Sequence, residues 1–491
     1  MMMAQRHPNI VFILADDLGY GDLGCYGASA VDTPHIDRVA AEGLRFTDAH
    51  SPSSVCTPSR YNLLTGRYCW RTWAKTGCIW WHDPMLIDEG QTTLASMLRE
   101  RGYATGMVGK WHLGFGRPGA PGWGDLRGLD LNGPIAPGPC EAGFDSFFGV
   151  PAIGQKPHVY IRDHQIVNLA PEDPMQVVLD PEPQWMCHYL RRPRTNNPRL
   201  DTTGGAAAVY HHDNVTIDLT REAVAYIDQH ARADKPFFLY FAVRNVHAPL
   251  IPHPNFRGTS RCGVYGDFVH ELDWSVGQVL GTLDRLGIAD DTLVVITSDN
   301  GATEHHRPVE FVNNEGLASN GPFRGQKTEV YEGGHRVPFI VRWPGRIPGG
   351  QCCDQLLALT DMLATFAALT GYTLGAEEGP DSFNLLPALL GEAGSTPIRP
   401  GLVHDSMMGQ MHAMRSGEWK LIFGRGGGGL GAGWPGRPGV EHHRPSDPVA
   451  QLYNLADDPS ERDNLYEKCP DIVARLTRLY HHCQHEDASR R

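Results

Sequence analysis

Two pairs of oxygen-bearing side chains end two aliphatic runs that lie far apart in the chain. Asp16 and Asp17 close NIVFILADD, and Asp299 and Asn300 close TLVVITSDNG. Three carboxylates and an amide oxygen form a hard, all-oxygen set of the kind that holds Ca²⁺ or Mg²⁺ rather than zinc. Acids at strand ends also occur as solvated turn residues, and either pair alone supports both readings. Cys56 stands two residues before Pro58, which suits the first turn of a helix because its missing N–H costs nothing there. Cys56 then lies at a helix N-terminus, where aligned amides favour an anion such as sulfate; the plainer reading is a buried thiol ahead of a helix. Further candidates are Lys110 and His112 in GKWHLG, His247 in NVHAPLIP and Lys327 in GPFRGQKTEVYEGGHRVP. Singly, each lysine reads as a surface charge and each histidine as a hydrogen-bonded core imidazole. What they do together depends on whether the fold brings them to one place.

The elements that would do so are legible. NIVFILADD, KPFFLYFAVRNVHAP and TLVVITSDNG are short β-branched and aliphatic runs that read as buried parallel strands. Helical stretches lie between them: TPHIDRVAAEGL, TTLASMLRERG, TIDLTREAVAYIDQHA and FVHELDWSVGQVLGTLDRLG. Strands alternating with helices predict a three-layer α/β sandwich around a mainly parallel sheet. Ligands gather at the carboxyl ends of such strands, which places Asp16, Asp17, His247, Asp299 and Asn300 on one rim. After Gly371 the pattern changes to EWKLIFG, a Gly- and Pro-rich insert GRGGGGLGAGWPGRPG, QLYNLADDPSERDNL and a last helix DIVARLTRLYHHC. We expect a catalytic α/β domain over 1–370 and a smaller α+β domain over 371–491, with an antiparallel sheet and a terminal helix.

Composition narrows the classes. The chain has 491 residues, and its 56 acids against 43 bases leave a net charge of −13, which argues against an electrostatic grip on nucleic acid. An anionic substrate would have to be met by a local basic pocket. No run of eighteen uncharged apolar residues occurs; Leu356 to Leu374 comes closest, but Asp361 interrupts it. The start, MMMAQRHPNI, has no apolar stretch ahead of a cleavage site, so a cytoplasmic location is expected as written, or a periplasmic or secreted one where a signal has been removed. Eleven cysteines are odd in number and too sparse for a disulfide scaffold, so mostly reduced thiols are expected. The histidine doublets, including His305–His306, lack zinc-site spacings.

The segment SVCTPSRYNLLTGRY, from Ser54 to Tyr68, resembles the formylglycine-dependent sulfatases of the alkaline phosphatase superfamily. Cysteine, one residue, proline, one residue, arginine is their signal for converting the cysteine to formylglycine, here Cys56, Pro58 and Arg60. The resemblance extends through FDSFFG, KPFFLYFA, EGGHRVPFIVRWPG, WKLI and QLYNLADDPSERDNL, and so covers most of the chain. It implies an alkaline-phosphatase-like fold and one divalent ion, usually Ca²⁺, held by Asp16, Asp17, Asp299 and Asn300 together with the formylglycine at position 56. It implies that Lys110 and Lys327 hold sulfate oxygens and that Arg60 positions the formylglycine. His112 would assist proton removal from the formylglycine and His247 would protonate the leaving oxygen. Sulfate-ester cleavage needs such a set, because charge builds on the bridging oxygen and must meet preorganised cations and a proton donor suited to an alcohol. The expected partners are a sulfated small molecule or glycan and a formylglycine-generating or sulfatase-maturating enzyme.

The long SVCTPSRYNLLTGRYCWRT stretch looks most like microbial glycan sulfatases, including those acting on galactose or N-acetylgalactosamine 6-sulfate. Trp80, Trp81 and His82 in the loop RTWAKTGCIWWHDPMLID are candidates for a sugar-holding pocket wall, as are His404 in HDSMMGQMHAM and His305, which closely follows the DNG. Two other readings stand beside this one. A phosphonate monoester or phosphodiester hydrolase could use the same formylglycine, and a protein with unconverted Cys56 could bind sulfated glycans without turnover.

Overall fold

The computed structural model describes residues 7–120, 129–183, 198–303, 317–407, 411–429, 446–485 and 489–490. The runs that read as buried strands form the middle of a large sheet. Its strands are β1 (Asn9–Ala15), β2 (Leu44–Phe46), β3 (Ala104–Lys110), β4 (Ser146–Val150), β5 (Ile161–Arg162), β6 (Gln165–Ile166), β7 (Phe237–Ala242), β8 (Thr292–Ser298), β9 (Phe339–Arg342) and β10 (Gln351–Cys353). Among the described residues they lie in the order β10-β2-β9-β8-β1-β7-β3-β4-β5-β6. The run from β8 through β1, β7 and β3 to β4 is parallel throughout, whereas β9 is antiparallel to both of its neighbours. Register then sets the site. Ala15 pairs with Ser298 and Leu14 with Ala242, so Asp16, Asp299 and the segment leading to His247 leave the sheet at one rim.

Both faces of the central strands are covered, which is why their sequences are continuously apolar instead of alternating. Successive side chains point to opposite faces. Ile10, Phe12 and Leu14 of β1, with Phe238 and Tyr240 of β7, pack against one helical layer. That layer is α2 (Cys56–Thr65), α3 (Leu94–Glu100) and α6 (Met362–Thr370). Val11, Ile13 and Ala15, with Leu239 and Phe241, pack against α1 (Pro34–Ala41), α4 (Val215–His230) and α5 (Gly263–Leu286) on the other side. At roughly 1.5–3 kcal/mol for each fully buried large apolar side chain, these two layers hold the sheet rigid behind the rim. Gly109 in β3 answers a close approach: it adopts φ +120°, and a Cβ there would lie 1.9 Å from the Ala242 carbonyl oxygen of β7.

A second, antiparallel sheet follows: β11 (Leu402–Asp405), β12 (His412–Ser416), β13 (Trp419–Ile422) and β14 (Gln451–Asn454). Leu476, Tyr480 and Cys483 of α7 (Pro470–His485) complete its core. The preceding Leu385, Ala388 and Leu389 pack into the main core. Much of the Gly- and Pro-rich insert lies outside the described residues. The apolar run around Leu356–Leu374 forms α6 against the main core, and no described helix is long and apolar enough to cross a membrane.

One buried ion pair ties α6 to the chain entering the second sheet. Arg399 donates to Asp361 at 2.6 Å, and Asp361 also accepts from the Ala358 and Phe383 amides at 2.8 and 3.0 Å. Both side chains are fully buried. Asp361→Ala strands a buried guanidinium and two amides, so it should cost about 3–5 kcal/mol of stability, read as a lower urea midpoint. An unchanged midpoint would contradict this assignment.

Candidate active site

Cys56 is the first residue of α2, the helix that the Pro58 signal predicts, and every residue of that helix is buried. Arg60 lies one turn further on, so its side chain shares a face with Cys56. Its Nε and one Nη donate to Asp299 Oδ2 at 3.0 and 2.7 Å, and its other Nη donates to the Lys110 carbonyl at 3.1 Å. Lys110, the last residue of β3, reaches Asp16 Oδ2 at 2.7 Å. The Cys56 thiol lies 3.5 Å from Asp16 Oδ1. Lys327 meets Asp17 Oδ1 at 2.6 Å, and Asn300 donates to the same oxygen at 2.8 Å. The Asp17 amide donates to Asp299 Oδ1 at 3.2 Å. His247 places Nε2 3.8 Å from Asp17 Oδ2. Cys56, Arg60, Lys110, His247, Lys327, Asp16, Asp17, Asp299 and Asn300 therefore form one continuous cluster.

The electrostatics follow from burying three carboxylates together. Burial works against ionisation of Asp16, but Lys110, His247, Arg60 and Lys327 outweigh it and hold the carboxyl well below its usual range. Asp17 is lowered too, with Lys327 and His247 overcoming burial. Asp299 goes the other way: burial, with Cys56 and Asp16 close by, pushes it well above the usual range despite Arg60 and Lys110. A carboxyl raised by its anionic neighbours is one that an added cation would restore.

Whether a metal fits is answered by the donor set. Donor atoms of Asp16, Asp17, Cys56 and His247 all lie within 4.8 Å of one another. Asn300 Oδ1 is buried with no hydrogen-bond partner, and buried polar atoms rarely go unmatched. Hard oxygens and an orphaned amide oxygen suit Ca²⁺ or Mg²⁺. The Cys56 sulfur occupies the position at which the oxygens of a formylglycine would stand. With three carboxylates balanced against Arg60, Lys110 and Lys327, a divalent ion would leave the site net positive and receptive to an anion.

His112 is present but engaged differently. Its Nε2 lies 3.1 Å from the Ile79 carbonyl, fixing the proton there, while Nδ1 is buried without a partner. Thr57 of α2 donates to the His112 carbonyl at 2.9 Å, which ties the histidine to the helix that carries Cys56. Burial, then Lys110 and Arg60, hold the imidazole neutral, well below its ordinary value. His247 donates Nδ1–H to the Ala248 carbonyl at 2.5 Å, so Nε2 is the atom that exchanges a proton. Burial and Lys327 lower this imidazole to about 4 against the opposing pull of Asp16 and Asp17. Asp17, His112 and Thr328, the neighbour of Lys327, all adopt left-handed backbone, with φ of 63°, 58° and 81°. Such conformations persist where packing over-determines them, as at functional sites.

The described residues expected in the pocket wall are buried in this fold. Trp80, Trp81 and His82 are only 6%, 1% and 2% exposed. Trp81 donates to the Lys156 carbonyl at 2.6 Å and packs edge-on against Phe115, and His82 stacks on Trp80. These rings are packed into the core. His404 is fully buried as well. It stacks on His335 at 3.7 Å and lies against His50, in a seam with Asp48, Glu332 and Lys420. His305 lies outside the described residues. Two neighbours went unread in the sequence. Cys78, together with burial, pushes the Cys56 thiol well above its usual range, and Gln155 approaches His112 Nε2 at 3.4 Å. Cys78 belongs to the loop singled out for its aromatics, whereas no motif marks Gln155.

Comparison with known proteins points to one family. The family model described as Sulfatase matches residues 8–372. An N-acetylgalactosamine-6-O-sulfatase of Bacteroides thetaiotaomicron is 37% identical over 96% of this chain and 92% of its own. A steryl-sulfatase of Rattus norvegicus is 36% identical over 78% of this chain and 70% of its own. A solved structure from work on the metabolism of multiple glycosaminoglycans by Bacteroides thetaiotaomicron superposes with a TM-score of 0.83 at 36% identity, covering 97% of this chain and 99% of that one.

Metal binding can be read without turnover. A ligand at a hundredfold excess over its Kd stabilises the native state by about 2.7 kcal/mol, so Ca²⁺ should raise the melting temperature of the chelator-treated protein. Asp17→Ala and Asn300→Ala should each abolish most of that increment. Equal increments in all three proteins would remove the cluster as the ion's site.

Proposed function

The chain belongs to the sulfatase family and has its alkaline-phosphatase-like fold, and on that premise we propose that it removes 6-linked sulfate from galactose or N-acetylgalactosamine in a glycan, with a formylglycine made from Cys56 and one Ca²⁺ or Mg²⁺ ion. The observation that carries the reading is the meeting of Cys56, Arg60, Lys110, Lys327 and His247 with the acid and amide set at one rim of the sheet. The sugar is supported by the name of the Bacteroides relative. Asp16, Asp17, Asp299 and Asn300 would hold the ion, which supplies positive charge beside the nucleophile, and the converted residue 56 would supply the attacking hydroxyl. A maturing enzyme must act on Cys56 first.

The chain's own residues do the rest. Lys110, paired with Asp16, and Lys327, paired with Asp17, would bind sulfate oxygens and stabilise the charge that develops as the bridging bond breaks. Arg60, held by two bonds to Asp299, fixes the start of α2 against the rim. His247 keeps Nδ1 anchored and presents Nε2, which delivers a proton to the departing alcohol. A bound anion favours that proton, joining Asp16 and Asp17 against Lys327 and burial. His112 offers Nδ1 as the unpaired acceptor for a hydroxyl proton.

The leaving group tests these roles. An alkyl sugar alcohol needs the proton from His247, and a nitrophenolate largely does not. General acid–base catalysis is worth about 10²–10⁴-fold, so His247→Ala should lower kcat/KM on a 6-sulfated sugar at least tenfold more than on an aryl sulfate. Lys327→Ala should damage both by similar factors, because it stabilises the sulfuryl group itself. Equal losses for His247→Ala on both substrates would remove it from the acid role. A panel of 6-sulfated galactose, 6-sulfated N-acetylgalactosamine, other sulfated sugars and a phosphonate monoester, assayed on the wild-type enzyme, tests the substrate. Preference for any other member overturns the 6-sulfate assignment.

A further inference from the structure

Gln155 is half-buried beside His112, and its neighbours allow its amide one orientation. The Trp81 amide donates to Oε1 at 2.8 Å, which leaves Nε2 as the donor that faces the Ile79 carbonyl at 3.4 Å. Gln155 therefore spans the backbone from residue 79 to residue 81. The next carbonyl in its own chain, that of Lys156, accepts the Trp81 indole N–H at 2.6 Å. Residues 79–81 lie outside any helix or strand, so no ladder of backbone hydrogen bonds aims the Ile79 carbonyl. Its direction must come from side chains. That carbonyl lies 3.1 Å from His112 Nε2 and can only accept, so the imidazole proton belongs on Nε2. Ile79 is also held at its amide, which donates to Thr57 Oγ1 at 3.4 Å, and Thr57 donates to the His112 carbonyl at 2.9 Å. His112, Ile79 and Thr57 thus close a ring of hydrogen bonds at the start of α2. The His112 amide donates to the Pro151 carbonyl at 2.9 Å, so the segment that carries Gln155 grips the histidine as well as the ring.

We propose that Gln155 is a positioning residue that sets the tautomer of His112. By holding the Ile79 carbonyl and the Trp81 amide together, it keeps that carbonyl aimed at Nε2. The proton stays on Nε2, and Nδ1, buried without a hydrogen-bond partner among the described residues, is left as the acceptor. The choice is between two neutral forms of the ring, so no charge enters or leaves the site. With the carbonyl free to turn, the two nitrogens lose their distinction and the ring populates both tautomers. A histidine that carries its proton on Nδ1 donates where the reaction needs it to accept. The tautomer follows from the hydrogen bonds alone. Its consequence for turnover rests on the reading of His112 as the acceptor of a hydroxyl proton from residue 56.

The test reads the tautomer first, by NMR of the full-length chain labelled with ¹⁵N at histidine. His112, assigned by the signals lost in His112→Asn, should show a protonated Nε2 and a bare Nδ1. Gln155→Met keeps the length of the side chain but has no amide to span residues 79 and 81. Gln155→Asn keeps the amide but is too short to reach both, and it carries the same expectation should the Met variant fail to fold. Each should give His112 as a mixture of the two neutral tautomers. Gln155→Glu still accepts from the Trp81 amide and offers the Nε2 proton a second acceptor, so it should keep the wild-type form. A pure Nε2–H tautomer in the Met and Asn variants would overturn the proposal. A second arm measures turnover with residue 56 conversion and metal content matched. Partners that orient a histidine from behind are worth about 10–100-fold at metal sites. A loss of that order in kcat is expected for Gln155→Met, with KM nearly unchanged and the same factor on a 6-sulfated sugar and an aryl sulfate. A rise in KM alone would overturn the consequence for turnover. If the tautomer shifts while kcat holds, the positioning role stands and the reading of His112 as proton acceptor falls.

Discussion

Asp16, Asp17 and Asp299 are buried together, and the rest of the site exists on the condition that their charge is answered. Three carboxylates shielded from water repel one another and lose hydration, so each must find a cation or give up its ionisation. Lys110 serves Asp16, Lys327 serves Asp17, and Arg60 clamps Asp299. The raised Asp299 carboxyl and the unmatched Asn300 oxygen mark where the balance is incomplete. A divalent ion would complete it, and the same ion would turn a neutral cluster into one that attracts a sulfate ester. Stability and function draw on one constraint.

The fold answers that constraint by register. Parallel strands β8, β1, β7 and β3 deliver their carboxyl ends to one rim, and the two helical layers keep them from shifting. Helix α2 approaches from one face and brings Cys56 and Arg60 as a pair one turn apart. The left-handed backbone at Asp17, His112 and Thr328 turns the chain at or beside residues of the candidate site.

Much of this was legible because the signals are local. An aliphatic run that stops at acids is a buried strand that reaches a polar rim, and Asp16, Asp17, Asp299 and Asn300 fall where that logic places them. Pro58 marked the first turn of α2. The burial of the expected substrate wall was not legible. Trp80, Trp81 and His82 look like a sugar platform by type, but burial of aromatic surface is favourable wherever the chain can reach the core, and the loop folds inward. His404 reads as a polar residue near a pocket, yet it stacks on His335 and lies against His50, which come from distant parts of the chain. Cys78 and Gln155 meet the site only because of the path taken by their loops, and spacing carries no record of that path.

The central claim is that residue 56 acts as an aldehyde-derived nucleophile within this cluster. The direct measurement is specific activity on a sulfated sugar across preparations in which the converted fraction of residue 56 is varied by co-expression of a maturing enzyme and read by peptide mass. Activity should rise in proportion to the aldehyde fraction and extrapolate to zero where every chain keeps the Cys56 thiol. Full activity in preparations whose residue 56 remains a thiol would contradict the account.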